Sequence, residues 1–202
     1  MPTARRLNRM KQVLRYRQPD ITVICENITD PHNVSAILRS CDAVGVPAVH
    51  LLYTSAEMPE MGKKSSASAH KWVKTVPHRD YSGLKRSLKA EDFRIVATRH
   101  APESQSIYEM DWTGSAAIIL GNEHLGVSRE AQNISDVSVH IPMFGMVESL
   151  NVSVAAAVIL YEICRQRLQK GFYKGTAPGA DWQQQILSEW IEGVSNNPEK
   201  RK

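Results

Sequence analysis

Three segments place polar side chains where the surrounding pattern is apolar, and their residue types and spacing suit chemistry. In ENITDPHNVSAILRSCDAVG, residues 26–45, Asn33 stands in the first turn of a predicted helix, just past the carboxyl end of a predicted strand. Open α/β sheets bind ligands at that edge. Arg39 lies about 140° around the same helix from Val34, off its apolar stripe. Two readings stand: a cap region followed by a solvated helix face, or the rim of a ligand site. In IILGNEHLGVS, residues 118–128, a strand runs into Gly121, Glu123 and Gly126. Two glycines let a backbone approach a ligand closely, and Glu123 can accept bonds from an amine or from backbone amides. A plain strand-to-helix turn has the same pattern. In IPMFGMVESLNVSVAAAVILYE, residues 141–162, a strand ends at Ile141–Pro142, a loop pivots on Gly145, and a helix starts near Ser149. The mouth of a helix offers unpaired amides and a positive dipole end. A cap at Ser149 accounts for one of the polar residues Ser149, Asn151 and Ser153, not for all three.

Other chemistries lack their residues. No G-x-G-x-x-G follows the first strand, so a nicotinamide-dependent enzyme lacks its phosphate loop. A Walker loop, a Ser-His-Asp set and zinc-ligand spacing are also missing, and the seven histidines are scattered. Cys25, Cys41 and Cys164 are far apart and each lies in an apolar run, as reduced core thiols of a cytoplasmic protein do. No window is long and apolar enough to span a bilayer, so no membrane partner is expected.

The elements that must position the three segments alternate. A basic helix over 4–17 comes first, with Leu7, Met10, Val13 and Leu14 at helical spacing. Strands are predicted over 21–27, 48–53, 71–76, 93–98, 115–121 and 137–142, and helices over 31–44 and 81–91. Asp30 suits the N-cap of the 31–44 helix, Pro31 its first position, and Gly45 its end. Residues 127–135 read as a helical turn, and 149–171 as a long helix closed by Gly171. Strand–helix alternation implies an α/β fold, a parallel sheet with helices on both faces. The expected organisation is a basic N-terminal helix over 1–16, a main domain over 17–171, and a linker, amphipathic helix and basic tail over 172–202.

The net charge of +4 and pI near 9 point to anionic partners, and the location of the charge is more telling. Arg5, Arg6, Arg9 and Lys11 crowd the first helix, Lys200, Arg201 and Lys202 end the chain, and Lys63, Lys64, Lys71 and Lys74 form a third group. Basic ends around a less basic middle suit RNA contact.

Taken together, DPHNVSAILRSCDAVG, ILGNEHLGVS and IPMFGMVESLNVSVAAAVILYE resemble, in order and spacing, the three motifs of the SPOUT methyltransferases. The likeness runs from about Arg17 to Gly171 and is nearest to the branch that methylates the ribose 2′-hydroxyl of guanosine 18 in the tRNA D loop. The resemblance implies a C-terminal trefoil knot, S-adenosylmethionine as cofactor, tRNA as substrate, and a homodimer whose active site forms where two knots meet. It places Thr98, Gly121, Glu123, Ile141, Met143 and Leu150 around the cofactor, and Arg39, Asn33, Asn151 and Ser149 in the catalytic set. Asn33 and Asn151 are then expected to hold Arg39 or the ribose. No metal is needed for the chemistry. NEH in the second motif and the tail after Gly171 depart from the branch pattern, which leaves another tRNA or ribosomal RNA ribose as the alternative target, and a non-catalytic RNA-binding homologue as the alternative of another class.

Overall fold

The computed structural model describes residues 2–59, 69–174 and 179–195. Lys63, Lys64, Lys200, Arg201 and Lys202 lie outside the described residues. The elements are α1 (Ala4–Leu14), β1 (Ile21–Glu26), α2 (Pro31–Val44), β2 (Ala48–Leu52), β3 (Lys74–His78), α3 (Tyr81–Ala90), β4 (Arg94–Thr98), β5 (Gln105–Ser106), β6 (Ala116–Leu120), α4 (Arg129–Ile134), β7 (Val137–His140), α5 (Val152–Gln169) and α6 (Ala180–Ser195). The strands form one parallel seven-stranded sheet in the order β3-β2-β1-β6-β4-β7-β5.

Alternation along each strand divides the core in two. Val23, Cys25, Val96, Ile118 and Leu120 face α2 and α5, where Val34, Ile37, Leu38, Cys41, Ile159 and Ile163 pack. Ile24, Ile95, Ala97, Ala117 and Ile119 face α3 and α4, where Leu84, Leu88 and Ala131 pack. Both faces of the central strands are therefore dry, which explains their continuous apolar runs. Asp30 caps α2 by accepting from the His32 amide, and Gly45 ends it at φ +87°. Tyr16 O lies 2.4 Å from where a Cβ on Gly45 would sit, so glycine is required there twice over.

Several elements differ from the sequence expectation, α1 among them, which ends at Leu14 rather than residue 17. The third strand begins at Lys74 rather than residue 71, because Ala69–Lys71 forms a single 3-10 turn that feeds it. The two-residue β5 is too short to leave a periodic signature. β7 stops at His140, since Pro142 has no N–H with which to continue the ladder. α5 starts at Val152, not near Ser149: the Asn151 side chain accepts from the Ser153 amide and is the cap.

Two buried arginines tie the ends of the chain to the sheet. Arg167 of α5 pairs with both oxygens of Asp20 at 2.8 Å and donates to the carbonyls of Trp112 and Gly114. Arg17 pairs with Asp42 at 2.6 Å and lies 5.3 Å from the Trp190 ring. Removing the partner of a buried, hydrogen-bonded charge costs about 3–5 kcal/mol. A third apolar cluster joins Met10 and Leu14 of α1 to Trp182, Ile186 and Trp190 of α6, with Trp72 between them.

Candidate active site

Because the sheet is parallel, the carboxyl ends of β1, β6, β4 and β7 share one edge, and each of the three polar segments begins there. Beside that edge lies a cavity of about 780 Å³, a size within the usual range for small-molecule sites. Its walls include Thr98, Gly121, Glu123, Ile141, Met143 and Leu150, together with Ser149. Arg39, Asn33 and Asn151 do not line it.

A chain of hydrogen bonds joins the three segments. Asn151 Nδ2 donates to Asn33 Oδ1 at 3.1 Å, and Asn33 Nδ2 donates to Glu123 Oε1 at 3.0 Å. The Glu123 carboxylate also accepts from the amides of Thr29 and Asp30, each at 3.4 Å. Partial burial pushes the Glu123 carboxyl up, but the bond from Asn33 and those from backbone amides outweigh it and hold the group below its usual value of 4.5. Glu123 is thus an ionised hub that accepts from backbone amides, one of the two uses the sequence allowed. Asn33 and Asn151 hold each other and Glu123. They do not hold Arg39 of the same chain, the first of the two expected uses, because six residues along a helix carry Arg39 about 9 Å further on and onto another face. Arg39 is exposed and has no hydrogen bond or ion pair among the described residues.

Gly121 is required for a reason besides the one expected. A Cβ there would meet the backbone of Gly126 at 2.1 Å and the Val127 nitrogen at 2.3 Å. The close approach is between two strands of the chain's own turn, where Asn122 and Gly126 exchange backbone bonds at 3.1 and 2.9 Å. A side chain at 121 breaks that turn before it reaches a ligand. Gly145, by contrast, has open space around it. The Thr98 hydroxyl donates to Ile119 O at 2.8 Å, which fixes the end of β4 to β6 beneath the cavity. Cys25 is fully buried beneath the same edge, and burial raises its thiol to about 12, so it is no nucleophile.

Sequence reasoning missed the residues that brace the site. Asn27 takes a left-handed conformation, φ 49°, and its Oδ1 accepts from the amides of Thr54, Ser55 and Ala56, while its carbonyl accepts from Asn122 Nδ2 at 2.8 Å. An Asn directly after a strand was the available signal, since Asn tolerates that conformation. Of the four basic residues on α1, Arg5, Arg9 and Lys11 are exposed, whereas Arg6 is half-buried with its guanidinium 5.5 Å from the Trp72 ring. Among the described residues, no group of three or more His, Cys, Asp or Glu is placed to hold a metal ion, and no helix is long and apolar enough to cross a membrane.

These features have counterparts in known proteins. Residues 20–161 match the model of the SpoU rRNA methylase family. A tRNA (guanosine(18)-2′-O)-methyltransferase of Thermus thermophilus is 44% identical over 189 residues, 94% of this chain and 97% of that protein. The crystal structure of the Aquifex aeolicus TrmH/SpoU tRNA modifying enzyme superposes with a TM-score of 0.89 at 37% identity, covering 96% of this chain and 98% of that one. The SpoU methyltransferase AviRb from Streptomyces viridochromogenes, solved in complex with AdoMet, superposes with a TM-score of 0.69 at 27% identity over 75% of this chain and 62% of that one. The fold, the three joined segments and these likenesses agree: the chain belongs to the SpoU rRNA methylase family.

Proposed function

We propose that this protein transfers a methyl group from S-adenosylmethionine to the ribose 2′-hydroxyl of guanosine 18 in tRNA, acting as a homodimer in the cytoplasm. The observation that carries this is the bonded chain Asn151–Asn33–Glu123, which gathers all three segments at the edge of one cavity. The relative 44% identical over nearly the whole chain is named for that reaction.

The cavity fits the cofactor by its chemistry: it combines the apolar walls of Leu120, Val139, Ile141 and Leu150 with backbone amides at strand ends. When bound, S-adenosylmethionine supplies a methyl group on a cationic sulfur, which needs in-line placement rather than an acid to leave. The residues of the chain must then deal with the ribose hydroxyl, a poor nucleophile near neutral pH. Arg39 is its partner. A guanidinium does not give up its proton, so Arg39 acts by stabilising the developing alkoxide and gripping the adjacent phosphate. Ser149, which lines the cavity, orients the ribose.

A C-terminal knot is supported by the bonds that hold the segment between β5 and β6 against α5. Gln166 donates to Met110 O and accepts from the Trp112 amide, both at 3.0 Å, and Arg167 Nε donates to Trp112 O at 3.0 Å. A homodimer is supported by α5, where Val154, Tyr161 and Leu168 recur every seven residues with about half of each exposed. The loop that precedes α5 carries two more exposed apolar residues, Phe144 and Met146, both almost fully exposed. Large apolar side chains exposed in this number point to an interaction face. We read α1 and α6 as appendages to the domain over 17–171, with Arg5, Arg9 and Lys11 as RNA contacts. The test is transfer of labelled methyl from S-adenosylmethionine to bulk tRNA, followed by mapping of the labelled ribose. Label at guanosine 18 is expected; label confined to ribosomal RNA or to another tRNA ribose overturns the target assignment.

A further inference from the structure

We propose that Glu26 is a positioning residue that sets the cavity wall from behind, acting through Ser128; this rests on reading the cavity as the cofactor site. Glu26 ends β1, is 1% exposed, and has no cationic partner among the described residues. Its carboxyl group instead takes three donors: the Tyr81 hydroxyl at 2.7 Å, the Ser128 amide at 3.0 Å, and the Ser128 hydroxyl in a short contact. A buried carboxyl without a cation persists only where its oxygens are satisfied in this way. Burial also pushes the Tyr81 phenol up, which keeps it a neutral donor.

Those donors are the ends of two helices. Tyr81 is the first residue of α3, and Ser128 caps α4, its hydroxyl accepting from the Ala131 amide at 3.1 Å. Ser128 is also where the Gly121–Ser128 loop ends. That loop is closed on itself by the bonds between Asn122 and Gly126, and by Asn122 Oδ1, which accepts from the amides of His124 and Leu125. A turn closed in this way moves as a unit, so the points where it is attached set its angle to the sheet. Two attachments face the cavity edge, Asn122 to Asn27 and Glu123 to Thr29, Asp30 and Asn33. The third, Glu26 to Ser128, lies on the α3–α4 face, and neither residue lines the cavity. Loosening it tilts the wall formed by Gly121, Asn122 and Glu123 without touching cofactor or ribose.

The experiment is calorimetry with S-adenosylmethionine on the wild type, Glu26→Gln, Ser128→Ala and the double variant, alongside steady-state methylation of tRNA. Circular dichroism and thermal melts verify the fold. Each single change is expected to weaken cofactor binding roughly tenfold, and the double to be no more than about twofold worse than the poorer single, because both cut one linkage. The KM for S-adenosylmethionine should rise, the KM for tRNA should not, and saturating cofactor should restore turnover. Wild-type affinity in folded single variants, or losses that multiply in the double, overturns the proposal. If Glu26→Gln does not fold, Tyr81→Phe replaces it in the same cycle under the same criteria. A wild-type protein that binds no S-adenosylmethionine overturns the cavity reading instead.

Discussion

Arg39 stands on a helix whose polar neighbours are occupied: Asn33 with Glu123 and Asn151, Ser40 with the Ala36 carbonyl, and Asp42 with Arg17. A cation left without a partner beside such a site is available for substrate. Arg39→Ala should therefore leave S-adenosylmethionine affinity within about twofold and lower single-turnover methylation by about 10²–10³, the loss seen on removing one preorganised contact to a developing oxyanion. Unchanged turnover would return Arg39 to a solvated helix face. Glu123 makes the opposite kind of prediction, since its bonds to Thr29, Asp30 and Asn33 join distant parts of the chain. Its carboxyl is held below 4.5 in the fold, so it contributes stability above that pH and loses it as pH falls through the depressed value. Melting curves at pH 7 and pH 3.5 should show a smaller acid-induced drop for Glu123→Gln than for the wild type, because glutamine has no charge to lose. An equal drop in both proteins would show that other carboxylates carry the acid sensitivity. The partners of Glu123 did not follow from residue type alone. Glu123 acquired its amide partners from a segment more than ninety positions away.

Elements with a strong period were legible. Val34, Ile37, Leu38 and Cys41 marked α2, and the apolar runs at 21–26 and 116–120 marked the two central strands. What escaped was set by tertiary contact. β5 exists because Gln105 and Ser106 find β7, not because two residues favour a strand. The start of α5 shifted because Asn151 is doubly engaged, as cap and as donor to Asn33, which leaves Ser149 free at the cavity rim. The pairing of α1 with α6 through Met10, Leu14 and Trp190 joins the two ends of the chain, and no local pattern announces it. That pairing also divides the basic residues of α1 by job. Arg6 is spent on Trp72, while Arg5, Arg9 and Lys11 face solvent. Replacing those three with Ala should weaken tRNA binding and flatten its salt dependence by roughly one unit of slope per lost phosphate contact, with cofactor binding unchanged. Titrations across salt concentrations check this, and an unaltered slope would remove α1 from the RNA surface.

At the scale of the whole molecule, the cavity and the basic helix are far apart within one chain. α2 starts at the cavity edge with Asn33, and its far end, about 20 Å away, is where Arg17 meets Asp42 and the backbone of Gly45 touches Tyr16. A protein with its cavity edge and its cationic helix towards opposite ends of α2 suits a large folded polyanion, not a free nucleotide. The same geometry bears on Arg39, which lies along α2 between those two ends and points away from its own core. If the exposed stripe of Val154, Tyr161 and Leu168 seats a second copy, twofold symmetry places each α2 close to the partner's α5 surface, and each site draws on two chains. Complementation tests this directly. Arg39→Ala lacks the cation but keeps the cavity; Leu150→Asp keeps Arg39 but puts a charge on the cavity wall. Each alone should be inactive. Unfolded together and refolded as a mixture, half of the dimers are hybrids, and each hybrid holds one site built from an intact cavity and an intact arginine. About a quarter of wild-type activity should return, the value expected for a shared site in random twofold pairing. A mixture that stays inactive, although sedimentation shows hybrid dimers, would mean that Arg39 serves the cavity of its own chain.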